Sequence, residues 1–178
     1  DSVPDVIVTG RTSGGHAGAT LAGVGDVNGD GYGDWLVGSP DYDTGVPPRF
    51  PGKVWLYFGS AALDGKSDRT IDPPLATGQS YGTALAGVGD VNADGAPDFV
   101  ISGFVVSPDS ASAFLYFGGT NLDQYPDVPL HIGPGFTVRA ACSGDVNGDG
   151  WRDIILGASG GSSTVRGRVV VYYGGPGF

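Results

Sequence analysis

The sequence predicts an all-β chain of tandem units, and three observations lead there. A ten-residue acidic loop occurs three times, short apolar runs follow each copy, and no window sustains a helical period. Thirty-four Gly and thirteen Pro in 178 residues add many turns between short strands. That length suits one domain with a sizeable core.

The loops come first. GDVNGDGYGD runs from Gly25 to Asp34, GDVNADGAPD from Gly89 to Asp98 and GDVNGDGWRD from Gly144 to Asp153. Each copy sets Asp, Asn, Asp and Asp at positions one, three, five and nine. Oxygen-bearing side chains on alternate residues converge only if the backbone curls. The Gly at position six (Gly31, Gly95, Gly150) supplies the angles for that curl. All-oxygen donors suit a hard cation, and Ca²⁺, with six to eight oxygens in flexible geometry, fits better than Mg²⁺. Plain surface turns use the same residue types, but three copies with the same four oxygens favour metal. A helix-flanked EF-hand loop needs Glu at position twelve. Here that position holds Val37, Ile101 or Leu156, and the chain has no Glu. The runs DWLVGSP, DFVISGF and DIILGAS after the loops read as buried strands, so each loop joins two strands.

The chain aligns onto itself around these anchors. A run ending in Gly precedes each loop: DVIVTG (5–10), DPPLATG (72–78) and DVPLHIG (127–133). A segment feeding the loop follows, then the post-loop strand, a variable connection and an aromatic strand (GKVWLYFG, SAFLYFGG, GRVVVYYGG). The expectation is three units of four strands: outer, feeder, post-loop and aromatic. Their bounds fall at about residues 1–60, 61–118 and 119–178 of a single domain. Tandem four-stranded antiparallel units are the signature of β-propeller blades. The outer strand of a unit commonly completes the preceding blade, so DVIVTG would pair with the last blade of a closed ring.

The net charge of −10 is largely metal-loop chemistry, because nine of the nineteen Asp sit in the loops. Three Ca²⁺, each adding two charges, would bring it to −4. Nine scattered Lys and Arg argue against a nucleic-acid partner. The single Cys142 excludes an internal disulfide and is expected to be buried packing. No signal peptide or membrane-inserting run is evident, and a chain opening on Asp1 reads as a trimmed or excised product. Loops of modest charge suit millimolar calcium, so a secreted or cell-surface location is expected.

The stretch AGVGDVNGDGYGDWLVGSP followed by GKVWLYFG resembles the FG-GAP repeat of integrin α-subunit propellers and bacterial secreted proteins. The resemblance covers all three units. Its name-giving dipeptides are degraded to Ala17-Gly18, Tyr81-Gly82 and Phe136-Thr137. The "GAP" stands as Gly38-Ser39-Pro40, Gly103-Phe104-Val105 and Gly157-Ala158-Ser159. The family pattern implies one Ca²⁺ per repeat. Its ligands would be Asp26, Asn28, Asp30, Asp34 and the Tyr32 carbonyl; Asp90, Asn92, Asp94, Asp98 and the Ala96 carbonyl; and Asp145, Asn147, Asp149, Asp153 and the Trp151 carbonyl. The resemblance also implies a binding face opposite the loops, with Arg11, His16, Tyr42, Arg49, Phe50, Gln79, Tyr81 and Phe104 as candidates.

Three blades cannot enclose an axis without baring strand edges, which invite pairing with another chain. A two-fold homodimer forming a six-bladed ring would answer this, as would a longer chain of which this is a fragment. Catalysis is not expected. There is no G-x-S-x-G elbow, His16 and His131 fall in dissimilar places, and the candidate carboxylates outside the loops, Asp41, Asp43 and Asp109, lie in turn-like sequence. Most aromatic-strand side chains are expected between blades. The sequence therefore predicts a calcium-stabilised, non-enzymatic extracellular binding or adhesion module. A carbohydrate-binding propeller and a structural fragment of a larger secreted protein are the alternatives.

Overall fold

A computed structural model describes residues 2–10, 14–45, 50–74, 78–105, 113–133, 136–160 and 166–178. Among them every regular element is a strand. β1 (Thr20–Gly25), β2 (Asp34–Ser39), β3 (Lys53–Tyr57) and β4 (Arg69–Ile71) form one antiparallel sheet in that order. β5 (Gly78–Gln79) pairs with β8 (Phe104–Val105) as a short ribbon. The second blade runs β6 (Leu85–Gly89), β7 (Asp98–Ser102), β9 (Ala113–Tyr116) and β10 (Val128–Leu130). The third contains β11 (Phe136–Gly144), β12 (Asp153–Gly160) and β13 (Arg168–Tyr172). The repeats thus make two four-stranded blades and one of three described strands.

One expectation about outer strands is corrected. In the first blade the outer strand is Arg69–Ile71, ahead of DPPLATG. Pro73 and Pro74 lack the N–H a ladder requires, so pairing stops before them. Among the described residues DVIVTG forms no strand, and β13, the edge it was expected to extend, lies at the far end of the blade stack. Residues 5–10 instead run along the first blade, where Val8, Thr9 and Gly10 border a crevice with Val37, Trp55 and Tyr57.

The post-loop strands are central in their sheets; β2 and β7 are buried on both faces, which explains their continuous apolar runs, whereas β12 alternates between buried and half-buried positions. Alternation then assigns each side chain to one neighbour. Leu36, Val54, Leu56 and Ile71 of the first blade meet Tyr81, Phe99, Ile101 and Tyr116 of the second. Val100, Leu115 and Leu130 of the second meet Val138, Ile154 and Leu156 of the third. Phe99 stacks on Tyr116 at 5.0 Å between centroids and 3° between planes. The equivalent pair in the first blade, Trp35 and Tyr57, stacks at 5.2 Å and 8°.

The inner strands approach closely at glycine. A Cβ on Gly87 would lie 2.5 Å from the Gly23 carbonyl oxygen and 2.9 Å from Val24 Cα, both backbone atoms of the preceding blade. A Cβ on Gly23 would meet nothing within 4 Å. Gly87→Ala is therefore expected to cost about 1–3 kcal/mol by forcing β1 and β6 apart, lowering the melting temperature by roughly 2–4 °C per kcal/mol. An unchanged melt for Gly87→Ala would contradict this packing.

Candidate metal loops and the opposite face

The three loops fold alike because each supplies its own acceptors for its own amides. In the first, Asp26 accepts the N–H groups of Asp30 at 2.9 Å and Gly31 at 2.8 Å, and the Asn28 side-chain oxygen also takes Asp30 N–H at 2.9 Å. The Asp90, Asn92 and Asp94 loop repeats these bonds at 2.9–3.1 Å, and the Asp145, Asn147 and Asp149 loop does so at 2.9–3.1 Å. Asn28 Nδ2 donates to Asp30 at 2.8 Å, and Tyr32 N–H donates to the same carboxylate at 2.9 Å. Position six is left-handed in every copy: Gly31 at φ 94°, Gly95 at 94° and Gly150 at 93°.

The ninth residue behaves differently. Asp34, Asp98 and Asp153 are buried, at 3%, 0% and 0% exposure. One oxygen of each accepts an amide of its own loop (Val27, Val91 or Val146) at 2.7–2.9 Å. The other accepts an amide just past the aromatic strand (Gly59, Gly118 or Gly174) at 2.7–3.0 Å. The carboxylate therefore staples the loop to the end of the blade's third strand. Burial pushes Asp98 up to about 6 against the pull of the Val91 and Gly118 amides, and the Asp94 and Asp90 charges raise it further. Asp34 is raised for the same reasons, burial first. This second role was not read from the sequence, although the Gly-Ser or Gly-Gly that closes each aromatic strand, 25, 20 and 21 residues after the ninth Asp, is its signal.

Each loop thus gathers hard oxygen donors of the kind a divalent cation takes. Among the described residues, however, no group of three or more His, Cys, Asp or Glu side chains closes on one point. Backbone N–H groups and the Asn28, Asn92 and Asn147 amides donate to the carboxylate oxygens.

The connections at the other end of the blades meet one another. His16 Nδ1 lies 2.7 Å from Asp41 Oδ2, both side chains open to solvent. Phe50, left-handed at φ 58° and 45% exposed, accepts the Ser80 N–H on its carbonyl at 3.0 Å. Tyr42 lies under Lys53 Nζ at 4.8 Å and edge-on to Trp55 at 5.9 Å. Asp43 accepts the Gly45 N–H, and His131 is exposed. Tyr81 leaves the candidate face: it is 2% exposed, and its hydroxyl bonds that of Tyr116 between the blades. Its apolar ring is what fills that interface. Arg11, Arg49 and Asp109 lie outside the described residues, and of Gln79, Phe104 and Cys142 only the backbone is described.

Residues 137–172, the third blade, match the model of the FG-GAP repeat. The chain belongs to the FG-GAP repeat family. Human phosphatidylinositol-glycan-specific phospholipase D is 30% identical over 172 residues, covering 85% of this chain and 20% of that protein. Mouse integrin alpha-IIb is 33% identical over 107 residues, 60% of this chain and 10% of the relative. Human integrin alpha-8 is 30% identical over 187 residues, 94% of this chain and 16% of the relative. The chain therefore spans a fifth or less of the length of these relatives. No helix among the described residues is long and apolar enough to cross a membrane.

Two aspartates of one FG-GAP loop should separate on mutation. Asp98→Ala strands two buried amides at about 1–3 kcal/mol each, so its melting temperature should fall with or without calcium. Asp94→Ala, at an exposed position, should matter mainly when calcium is present. Calorimetric melts in calcium and in chelator check this; matching behaviour of the two variants would refute the division of roles.

Proposed function

We propose that the chain is a calcium-stabilised, non-enzymatic extracellular binding or adhesion module, built as half of a six-bladed ring that a second copy completes. The observation that carries this reading is the threefold repetition of one oxygen-rich loop, with a shared set of bonds, in a chain of FG-GAP repeats with integrin α relatives. Asp26, Asn28 and Asp30, their counterparts, and the Tyr32, Ala96 and Trp151 carbonyls would hold the ions, with the ninth Asp contributing from the buried side. Calcium would neutralise crowded carboxylates and stiffen the turns.

A binding role suits the face opposite the loops, where His16, Tyr42 and Phe50 are carried on long connections. Against a catalytic role stands the openness of the His16–Asp41 pair, since proton-transfer groups are usually tuned by burial. The phospholipase D relative is an enzyme by its name, but the chain spans only 20% of it. A carbohydrate ligand is the second reading. It is favoured by an open basin of about 530 Å³ on the outer edge, lined by Asp68, Arg69, Asp72, Gln124 and Tyr125. Tyr125 there is 64% exposed, a flat ring beside polar groups. A glycan array separates the two: saturable binding abolished by Tyr125→Ala would favour the sugar reading over protein adhesion.

Because each ion binds only the folded loop, calcium at a hundred times its dissociation constant should add about 2.7 kcal/mol per site. Chelator should lower the melting temperature by several degrees and calcium restore it. An unchanged melt would refute the calcium role.

A further inference from the structure

The two faces at the ends of the blade stack are unequal to their counterparts inside it. Val27 and Val91, second in their loops, are fully buried by the following blade, but Val146 is 52% exposed. On the aromatic strands, Val54 and Leu56, like Ala113 and Leu115, are 0% exposed, whereas the equivalent Val169 and Val171 are 68% and 41% exposed. A Cβ on Gly25 or Gly89 would touch Pro97 or Arg152 of the next blade, and one on Gly144 would touch nothing. At the other end Leu21, the counterpart of the partly buried Leu85, is 66% exposed. Among the described residues, no blade covers these two end faces.

The third blade also lacks an outer strand among the described residues, and the first two blades specify what would fit. Asp68 precedes β4 and accepts the Phe58 N–H at 2.8 Å; Asp127 precedes β10 and accepts the Phe117 N–H at 2.8 Å. Each Asp also donates its own N–H, at 3.0 Å, to the carbonyl of Leu56 or Leu115. Three residues on, Ile71 and Leu130 are buried between blades. Asp5-Val6-Ile7-Val8 repeats that pattern, and Asp5 precedes Asp26 by 21 residues as Asp68 precedes Asp90 by 22. Val8 already rests beside Trp55 and Tyr57, where an outer-strand aliphatic belongs, with no blade behind it.

We propose that Asp5–Val8 forms the fourth strand of the third blade of a second copy, with the first blade of one copy packed on the third blade of the other. The proposal rests on the half-ring reading and specifies its contacts. The ladders Leu56↔Arg69 and Leu115↔Val128 set the register as Val171↔Val6, and Val54↔Ile71 and Ala113↔Leu130 set it as Val169↔Val8. Asp5 would accept the Tyr173 N–H of the partner, as Asp68 and Asp127 accept theirs. Exchange of one strand in each direction closes both open edges.

The test is the double variant Val6→Cys/Val171→Cys, since directly opposed residues in neighbouring strands bring Cβ atoms within disulfide reach. Neither position lies in the packed core, so the variant should fold. Oxidation at micromolar protein should yield a covalent dimer of twice the 18.0 kDa chain. Each single variant should stay uncoupled, and Val6→Cys/Val169→Cys should couple at least tenfold more slowly. A dimer by light scattering that fails to cross-link would overturn the strand exchange and leave the two-copy ring standing. A clean monomer by light scattering would overturn both.

Discussion

One buried carboxylate per blade fixes the rest. The ninth loop residue, Asp34, Asp98 or Asp153, turns one oxygen to its own loop and the other to the end of the third strand. A charge taken out of water is tolerated only when it is well bonded, so its position fixes both segments at once. The first two loops are then joined to the next blade as well, because the carbonyls of Val27 and Val91 accept the Gly119 and Gly175 amides at 2.8 Å. The loop is therefore both the tip of one blade and part of the joint to the following one. A cation there would act on blade stacking as well as on a local turn.

Blade stacking explains why a chain with no helix among its described residues and little regular alternation packs firmly. Central strands covered on both sides carry apolar residues at successive positions, and glycine on the inner strands admits backbone against backbone. The same logic makes the terminal faces unusual. A propeller blade is shaped to be covered twice, so a blade covered once exposes Val, Leu and Tyr side chains that its counterparts bury.

Most of this architecture was legible in the sequence because the signals are local. The loop pattern is read from residues that bond one another within five positions, and the strands from short runs between glycines. The outer strands were harder. DPPLATG looked equivalent to DVPLHIG, yet its paired prolines move the strand to RTI, and only the Asp at 68 and 127 marks the true start. Tyr81 was expected on the binding face, but its neighbour in space, Tyr116, is 35 residues away. The second role of the ninth Asp was hidden likewise, since Gly59 and Asp34 are 25 residues apart. Contacts made across the sheet or between blades leave no short-range pattern.

Amide hydrogen exchange, resolved residue by residue by NMR, tests the carboxylate staple most directly. The account predicts that the N–H groups of Val27, Val91, Val146, Gly59, Gly118 and Gly174 exchange only with global opening, as the strand cores do. Exchange of these amides at the rate of free surface turns would contradict it, and the loops would then be ornaments on blades held by apolar contact alone.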